Sequence, residues 1–130
     1  MSQENMEVVG RLVAAVNARD LEGYLACCDE DVKLYLPGVG QLYEGPEGIE
    51  RWFADIEDAG PDFHLDLRDV KAISDNRVLA FLHATSTGRA SGVPVTADST
   101  NIYDLIDGKA KRIRIFLDRA AALKALGLDE

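Results

Sequence analysis

The fold is set by residues 63–87, which read FHLDLRDVKAISDNRVLAFLHATST. In both halves of this stretch apolar side chains alternate with polar ones, a period typical of strands with one buried face. A two-residue turn between Ser74 and Arg77 joins the halves, so the stretch predicts an antiparallel hairpin. We expect a bulge within residues 69–72, where the alternation is interrupted. The apolar face of the hairpin is predicted to hold Phe63, Leu65, Leu67, Val78, Ala80, Leu82 and Ala84.

The polar face of this hairpin carries the two histidines of the chain, His64 and His83. His83 is a candidate general base, because imidazole changes charge near neutral pH. The pairing of Ser74 with Arg77 places His83 opposite Arg68, on the face turned to solvent or to a second subunit, and we favour that structural role. Two histidines on neighbouring strands, with no third ligand in register, predict no metal site.

The alternation continues after the hairpin. Residues 93–106 and 109–117 are two further predicted strands, joined at Asp107-Gly108, the strongest hairpin signal in the chain. Asp118 then begins a short terminal helix that ends at Gly127. Long strands joined as a meander are expected to twist and curl into a cone whose mouth can hold a ligand.

Helical patterns come before the meander. Residues 3–17 repeat apolar side chains at three- and four-residue steps, and Asp20 can cap a second, short helix. Residues 32–36 alternate like a strand, and Gly45-Pro46 opens a third helix that stops at Gly60-Pro61. Helices followed by an antiparallel meander predict an α+β fold with the helices on one sheet face. The length suits a single domain, residues 1–130.

Charge and composition limit the partners. The formal net charge of −9 argues against a nucleic-acid partner and against anionic membrane surfaces, because both require clustered Lys and Arg. No stretch approaches the ~20 apolar residues that span a bilayer, and the N-terminus lacks the basic start of a signal peptide. Cys27 and Cys28 are the only cysteines and are adjacent, so no disulfide framework is expected. We therefore expect a cytoplasmic protein.

Six short pieces, in this order and spacing, carry a family resemblance. They are NARDL at 17–21, DEDV at 29–32, YEGPEGI at 43–49, GVP at 92–94, DGK at 107–109 and FLD at 116–118. Together they resemble the nuclear transport factor 2-like superfamily, and within it the SnoaL-like polyketide cyclases, the ketosteroid isomerases and the limonene epoxide hydrolases. The resemblance implies a cone-shaped α+β barrel, with three N-terminal helices on a curved, mostly antiparallel sheet and a short C-terminal helix. It also implies a pocket for a small apolar ligand and a homodimer formed through the sheet.

The resemblance suggests Asp118 as the catalytic residue. Asp118 stands where the epoxide hydrolases carry an acidic residue, on one strand face with Arg114 and Phe116. A carboxylate at the apolar mouth of a cone would suit a general acid or base. The alternative is structural, because Asp is a good N-cap and a helix starts at the next residue. The sequence leaves both interpretations open.

Three further residues are candidates for substrate binding. Asn101 falls where the isomerases place the acid that donates a hydrogen bond to the developing oxyanion, although it could equally be a satisfied core amide. Tyr35 lies near the position of a water-holding residue in the hydrolases, and could instead be half-buried packing. Trp52 corresponds to an aromatic pocket wall in the isomerases, and an aromatic at helical spacing can also be plain core.

The known catalytic sets of these families are missing. Leu36 stands where the isomerase base would precede Pro37, and Leu12 stands where the isomerases place a tyrosine. We therefore predict a SnoaL-like enzyme of isomerase, cyclase or hydrolase type that uses acid–base chemistry on a small apolar or polycyclic substrate, without cofactor or metal. The alternative is a non-catalytic module of the same fold that binds a small ligand or dimerises.

Overall fold

The computed structural model describes residues 2–87 and 94–127. Four helices and six strands follow one another in these ranges. In chain order they are α1 (Ser2–Ala18), α2 (Leu21–Ala26), β1 (Cys28–Leu36), β2 (Gln41–Glu44), α3 (Gly45–Ala59), β3 (His64–Ser74), β4 (Arg77–Thr87), β5 (Pro94–Ile106), β6 (Lys109–Phe116) and α4 (Arg119–Ala125). Gly92 and Val93, part of one of the family pieces, lie outside the described residues.

The strands form one sheet in the order β2-β1-β6-β5-β4-β3. All neighbouring pairs are antiparallel except β1 and β6, which run parallel. Three helices precede the long strands and a short helix follows them, so the predicted α+β cone is confirmed. Strand β2 is missing from the prediction, because a run of four residues carries too little alternation to be recognised.

The register of the first hairpin corrects one predicted pair. Ser74 does pair with Arg77, but the ladder shifts between Leu67 and Asp69 and again between Ala72 and Ser74. The first shift inserts Arg68 as an extra residue, so Asp66 and not Arg68 lies opposite His83. The bulge begins one residue earlier than expected, and each inserted residue moves the pairing by one position.

The main core lies between α1, α2, α3 and one face of the sheet, which we call the inner face. Val9, Val32, Ile49 and Ile113 are completely buried there. The members of the predicted apolar face belong to this core or pack against it, apart from Ala84, which lines the cavity described below. Burial of an aliphatic side chain of this size contributes about 1.5–3 kcal/mol, so each of these residues stabilises the contact between helices and sheet.

A second, smaller core lies on the opposite face of the sheet, the outer face. There α4 covers Leu79, Ile102 and Phe116 with Ala122 and its neighbours. The guanidinium of Arg119 lies 4.3 Å from the ring centroid of Phe81, in a cation–π contact. The outer face is thus partly covered by the chain itself, a packing that the alternation did not predict.

The turn between β5 and β6 has the backbone that its sequence predicts. Asp107 and Gly108 have φ angles of 53° and 75°, and the flanking residues Ile106 and Lys109 pair with each other. Positive φ at both central positions is the type I′ geometry that matches strand twist. Among the described helices, none is both long enough and apolar enough to cross a membrane.

Candidate functional site

A cavity of about 310 Å³ lies between the helices and the inner face of the sheet, and we call it the cone cavity. This volume falls at the lower end of the range for small-molecule sites. Most of its wall is aliphatic or aromatic. The lining residues are Leu12, Val13, Val16, Tyr24, Leu36, Tyr43, Trp52, Asp55, Ile56, Ala59, Phe63, Leu65, Ala84, Ala97, Ser99, Asn101, Tyr103, Ile113, Ile115 and Leu117.

Aromatic rings form the helical side of the wall. The ring of Tyr24 lies 5.5 Å from that of Trp52 and 5.4 Å from that of Phe53, in tilted and edge-to-face contacts. Burial raises the pKa of Tyr24 well above its usual value, so its hydroxyl stays protonated. Trp52, a predicted binding residue, lies in this part of the cavity wall.

Strand β5 supplies the polar part of the inner wall. Ser99, Asn101 and Tyr103 alternate along its inner face, and the last two are only 4% and 3% exposed. Asn101 Nδ2 donates a hydrogen bond to Tyr103 Oη at 3.1 Å. Asn101 Oδ1 is buried and has no hydrogen-bond partner within the described part of the chain. Burial raises the pKa of Tyr103 to about 12, against a smaller lowering by the Asn101 bond, so Tyr103 remains a neutral phenol.

A carboxylate also reaches the cone cavity. Tyr43, on β2, donates a hydrogen bond from Oη to Oδ2 of Asp55, on α3, at 2.6 Å. Burial and this bond together raise the pKa of Tyr43 to about 12, so the phenol keeps its proton. Asp55 itself is exposed, which places it at the mouth. Among the described lining residues, it alone is an Asp, Glu, Lys, Arg or His side chain.

Asp55 and Tyr43 are absent from the sequence-based candidates, although one signal for Asp55 was available. Trp52, Asp55, Ile56 and Ala59 are spaced i, i+3, i+4 and i+7, and this spacing brings all four to one side of a helix. A carboxylate inside such a stripe is unusual. Tyr43 gave no comparable signal, because the short strand that holds it was not recognised.

Tyr35 does not lie where the family resemblance suggested. Its neighbours Leu34 and Leu36 point inward, and the alternation of β1 turns Tyr35 to the outer face, where it is 37% exposed. There it lies opposite Leu42 on β2 and Arg114 on β6. Its assignment to substrate binding is therefore wrong for the cone cavity.

Asp118 is the N-cap of α4, one of the two roles that the sequence left open. Its Oδ1 accepts a hydrogen bond from the backbone N of Ala120 at 3.0 Å, which caps α4. Asp118 is exposed and does not belong to the cavity lining. Ile115 on β6 and Leu117 just after it line the cavity, whereas Phe116 lies in the outer-face core, and the same alternation past the end of β6 turns Asp118 to the outer side.

The histidines lie away from the cone cavity. His83 Nδ1 is 2.7 Å from Asp98 Oδ1 on the neighbouring strand, and His64 is exposed on β3. This is the outer-face position that we favoured for His83. In the ranges 2–87 and 94–127, no group of three or more His, Cys, Asp or Glu side chains is arranged to hold a metal ion.

A mostly antiparallel sheet wrapped on three helices around an apolar cavity places the protein in the class of α+β cones with an internal cavity. Within this class, the chain belongs to the family of the SnoaL-like domain, whose family model matches residues 9–113. That match covers most of the chain, including all the described lining residues from Leu12 to Ile113. No curated protein matches the chain in sequence.

Solved structures share the fold of this chain. A cystatin-fold protein from Novosphingobium aromaticivorans is 25% identical with a TM-score of 0.75, and the match covers 88% of this chain and 97% of that one. TerC, co-crystallised with polyporic acid, is also 25% identical, with a TM-score of 0.79 and coverage of 95% and 98%. A protein assigned to the SnoaL-like polyketide cyclases, from Jannaschia sp. CCS1, has a TM-score of 0.80 at 19% identity, covering 99% and 95%. The last likeness establishes the fold alone.

Proposed function

We propose that the chain is a small-molecule enzyme that moves a proton on a small, largely apolar substrate held in the cone cavity, with Asp55 as the general base. One observation carries the proposal: the single charged group among the described lining residues is a carboxylate held by a buried tyrosine, at 2.6 Å. A fixed carboxylate facing an apolar space is suited to proton abstraction. The reaction needs no cofactor.

The proposed step is proton abstraction from a carbon beside a carbonyl group. The hydrogen bond from Tyr43 occupies Oδ2 of Asp55, and no described residue donates to Oδ1, which is therefore available as the base. When Oδ1 takes the proton, the electrons of the broken C–H bond move to the carbonyl oxygen. The neutral phenol of Tyr103 can donate a hydrogen bond to that oxygen and stabilise the charge that develops there.

The comparisons support a small organic molecule as the substrate. The apolar wall and the volume of about 310 Å³ suit a molecule of one or two rings. TerC, which is 25% identical to this chain, was co-crystallised with polyporic acid. The aromatic wall of Tyr24 and Trp52 offers ring faces and edges against which a cyclic substrate can pack.

The test uses 2-tetralone, a two-ring ketone whose α-hydrogens exchange with deuterated water when a base removes them. We expect the protein to accelerate this exchange, measured by proton NMR, and Asp55→Asn to reduce the acceleration by about 10²–10⁴-fold, as for loss of a general base. Asp118→Asn is the matched control: it removes the other candidate carboxylate, keeps a good N-cap, and should leave the exchange rate unchanged. An unchanged rate in Asp55→Asn would contradict the assignment of Asp55.

The second candidate function is ligand binding without catalysis. It is favoured by the exposure of Asp55 at the cavity mouth, where water screens the carboxylate. The same experiment separates the two functions. If 2-tetralone shifts the NMR signals of cavity residues but its α-hydrogens exchange no faster than in buffer, the chain binds the ketone and does not act on it.

We also propose a homodimer formed through the outer face of the sheet. Its support is a pair of apolar side chains there: Tyr35 and Leu42 lie opposite each other and are 37% and 43% exposed. Covering them with a second copy would remove both from water. Sedimentation velocity should give the mass of two chains, and Leu42→Lys should shift the population toward one. A wild-type protein that sediments as a monomer at high micromolar concentration contradicts this proposal.

A further inference from the structure

A buried polar group in the wall of the cone cavity has an unsatisfied hydrogen-bonding requirement. Asn101 is 4% exposed, and its Oδ1 is buried without a partner in the described ranges. Native proteins pair nearly all buried polar atoms, because an unpaired one loses water and gains nothing in return. An unpaired amide oxygen in the wall of a cavity therefore indicates that a bound ligand supplies the missing hydrogen-bond donor.

The neighbouring tyrosine determines what kind of group this is. Asn101 Nδ2 donates to Tyr103 Oη at 3.1 Å, so the phenol oxygen acts as the acceptor in this pair. The phenolic hydrogen is then free to be donated elsewhere, while Asn101 Oδ1 is free to accept. Both residues line the cavity, so together they offer it one donor and one acceptor.

The presence of one free donor and one free acceptor does not depend on the orientation of the Asn101 amide. If the amide is rotated by 180°, Tyr103 donates to Oδ1, leaving Nδ2 as the free donor and the phenol oxygen as the free acceptor. In either orientation, the pair of Asn101 and Tyr103 offers at least one donor and one acceptor. A ketone or an ether can only accept a hydrogen bond, so it leaves the acceptor atom of Asn101 and Tyr103 without a donor.

We infer that the cone cavity binds its ligand by a hydroxyl group, as a phenol, an alcohol or an enol, placed on Asn101 and Tyr103. A hydroxyl both donates and accepts, so it satisfies the pair with one oxygen atom. The inference rests on the proposed function and deepens it, since removal of a proton beside a carbonyl followed by protonation of the oxygen gives an enol. The remainder of the ligand is a small ring system, in keeping with the aromatic wall.

The test compares three probes with the same two-ring skeleton: 2-tetralol, which donates and accepts; 2-tetralone, which only accepts; and tetralin, which does neither. We expect 2-tetralol to bind the full chain about tenfold or more tightly than 2-tetralone, the typical effect of leaving one buried polar group unpaired. Dissociation constants are measured by NMR titration of the amide signals of residues lining the cavity.

Two variants locate the effect. Asn101→Leu keeps a similar volume and should reduce the preference for the alcohol to about twofold or less. Tyr103→Phe removes a single oxygen, and is expected to weaken 2-tetralol more than tetralin even if Asn101→Leu fails to fold. Equal affinity for 2-tetralol and 2-tetralone, or a preference that persists in both variants, would overturn the inference while leaving the cavity as an apolar binding site. Failure of all three probes to bind would instead contradict the proposed function.

Discussion

Replacement of Tyr24 by alanine is expected to lower the free energy of unfolding by about 3–5 kcal/mol, as for other buried aromatic side chains. The side chain is 2% exposed, and its ring contacts those of Trp52 and Phe53 at 5.5 and 5.4 Å. Deleting the ring removes its transfer free energy and leaves a void beside the existing cavity. Urea denaturation, followed by the fluorescence of Trp52, the only tryptophan, measures the change.

The matched control is Tyr24→Phe. This change keeps the ring and removes only the hydroxyl, so it should cost less than about 1.5 kcal/mol, the upper end for a typical hydrogen bond. The difference between the two variants isolates the contribution of the ring. If Tyr24→Ala is no less stable than Tyr24→Phe, the aromatic wall is not a stabilising part of this fold.

The same glycine-to-alanine change should have opposite effects in α1 and α3. A Cβ atom on Gly48 would lie 2.7 Å from the carbonyl carbon of Tyr43, and the obstacle is backbone that cannot rotate away. We expect Gly48→Ala to destabilise the protein by about 1–3 kcal/mol, the usual cost of overpacking. A Cβ on Gly10 meets nothing within 4 Å, so Gly10→Ala should stabilise α1 by about 0.5–1 kcal/mol.

Gly48→Ala should also disturb the site. Because α3 must move away from β2, the hydrogen bond between Tyr43 and Asp55 should lengthen. Both effects are measurable in one set of samples: urea midpoints give the stabilities, and the 2-tetralone exchange rate gives the effect on the site. A Gly48→Ala protein with wild-type stability would show that α3 and β2 do not pack as closely as the structure has them.

Most of the fold was predictable because its signals are local. The strand Arg77–Thr87 lies where the sequence predicts the second half of the hairpin. The third helix begins at Gly45, the residue that the sequence predicts. Alternation, turn residues and helix caps each depend on a few neighbouring residues, so one chain suffices to recognise them. The inner face of the first hairpin was predicted on the same basis and lies in the main core or against the cavity.

The candidate site was predictable only in part. Asn101 and Trp52 line the cone cavity, and their role in substrate binding stays a prediction, whereas Tyr35 and Asp118 point to the other side of the sheet. The error has one cause. A resemblance locates a residue along a strand, but a side chain one position away lies on the opposite face.

By itself, then, the sequence determined the order of helices and strands, the two tight hairpins and the class of fold, since these depend on short-range periodicity and turn chemistry. The tertiary structure decided which side chains meet. It brought Tyr43 and Asp55 to 2.6 Å from a short strand and a helix, covered the outer face with α4, and left Asn101 Oδ1 unpaired in the cavity wall. The physical reason is that a bulge or a packed helix shifts or covers a whole face of the sheet, and such contacts join residues whose local sequences carry no sign of each other.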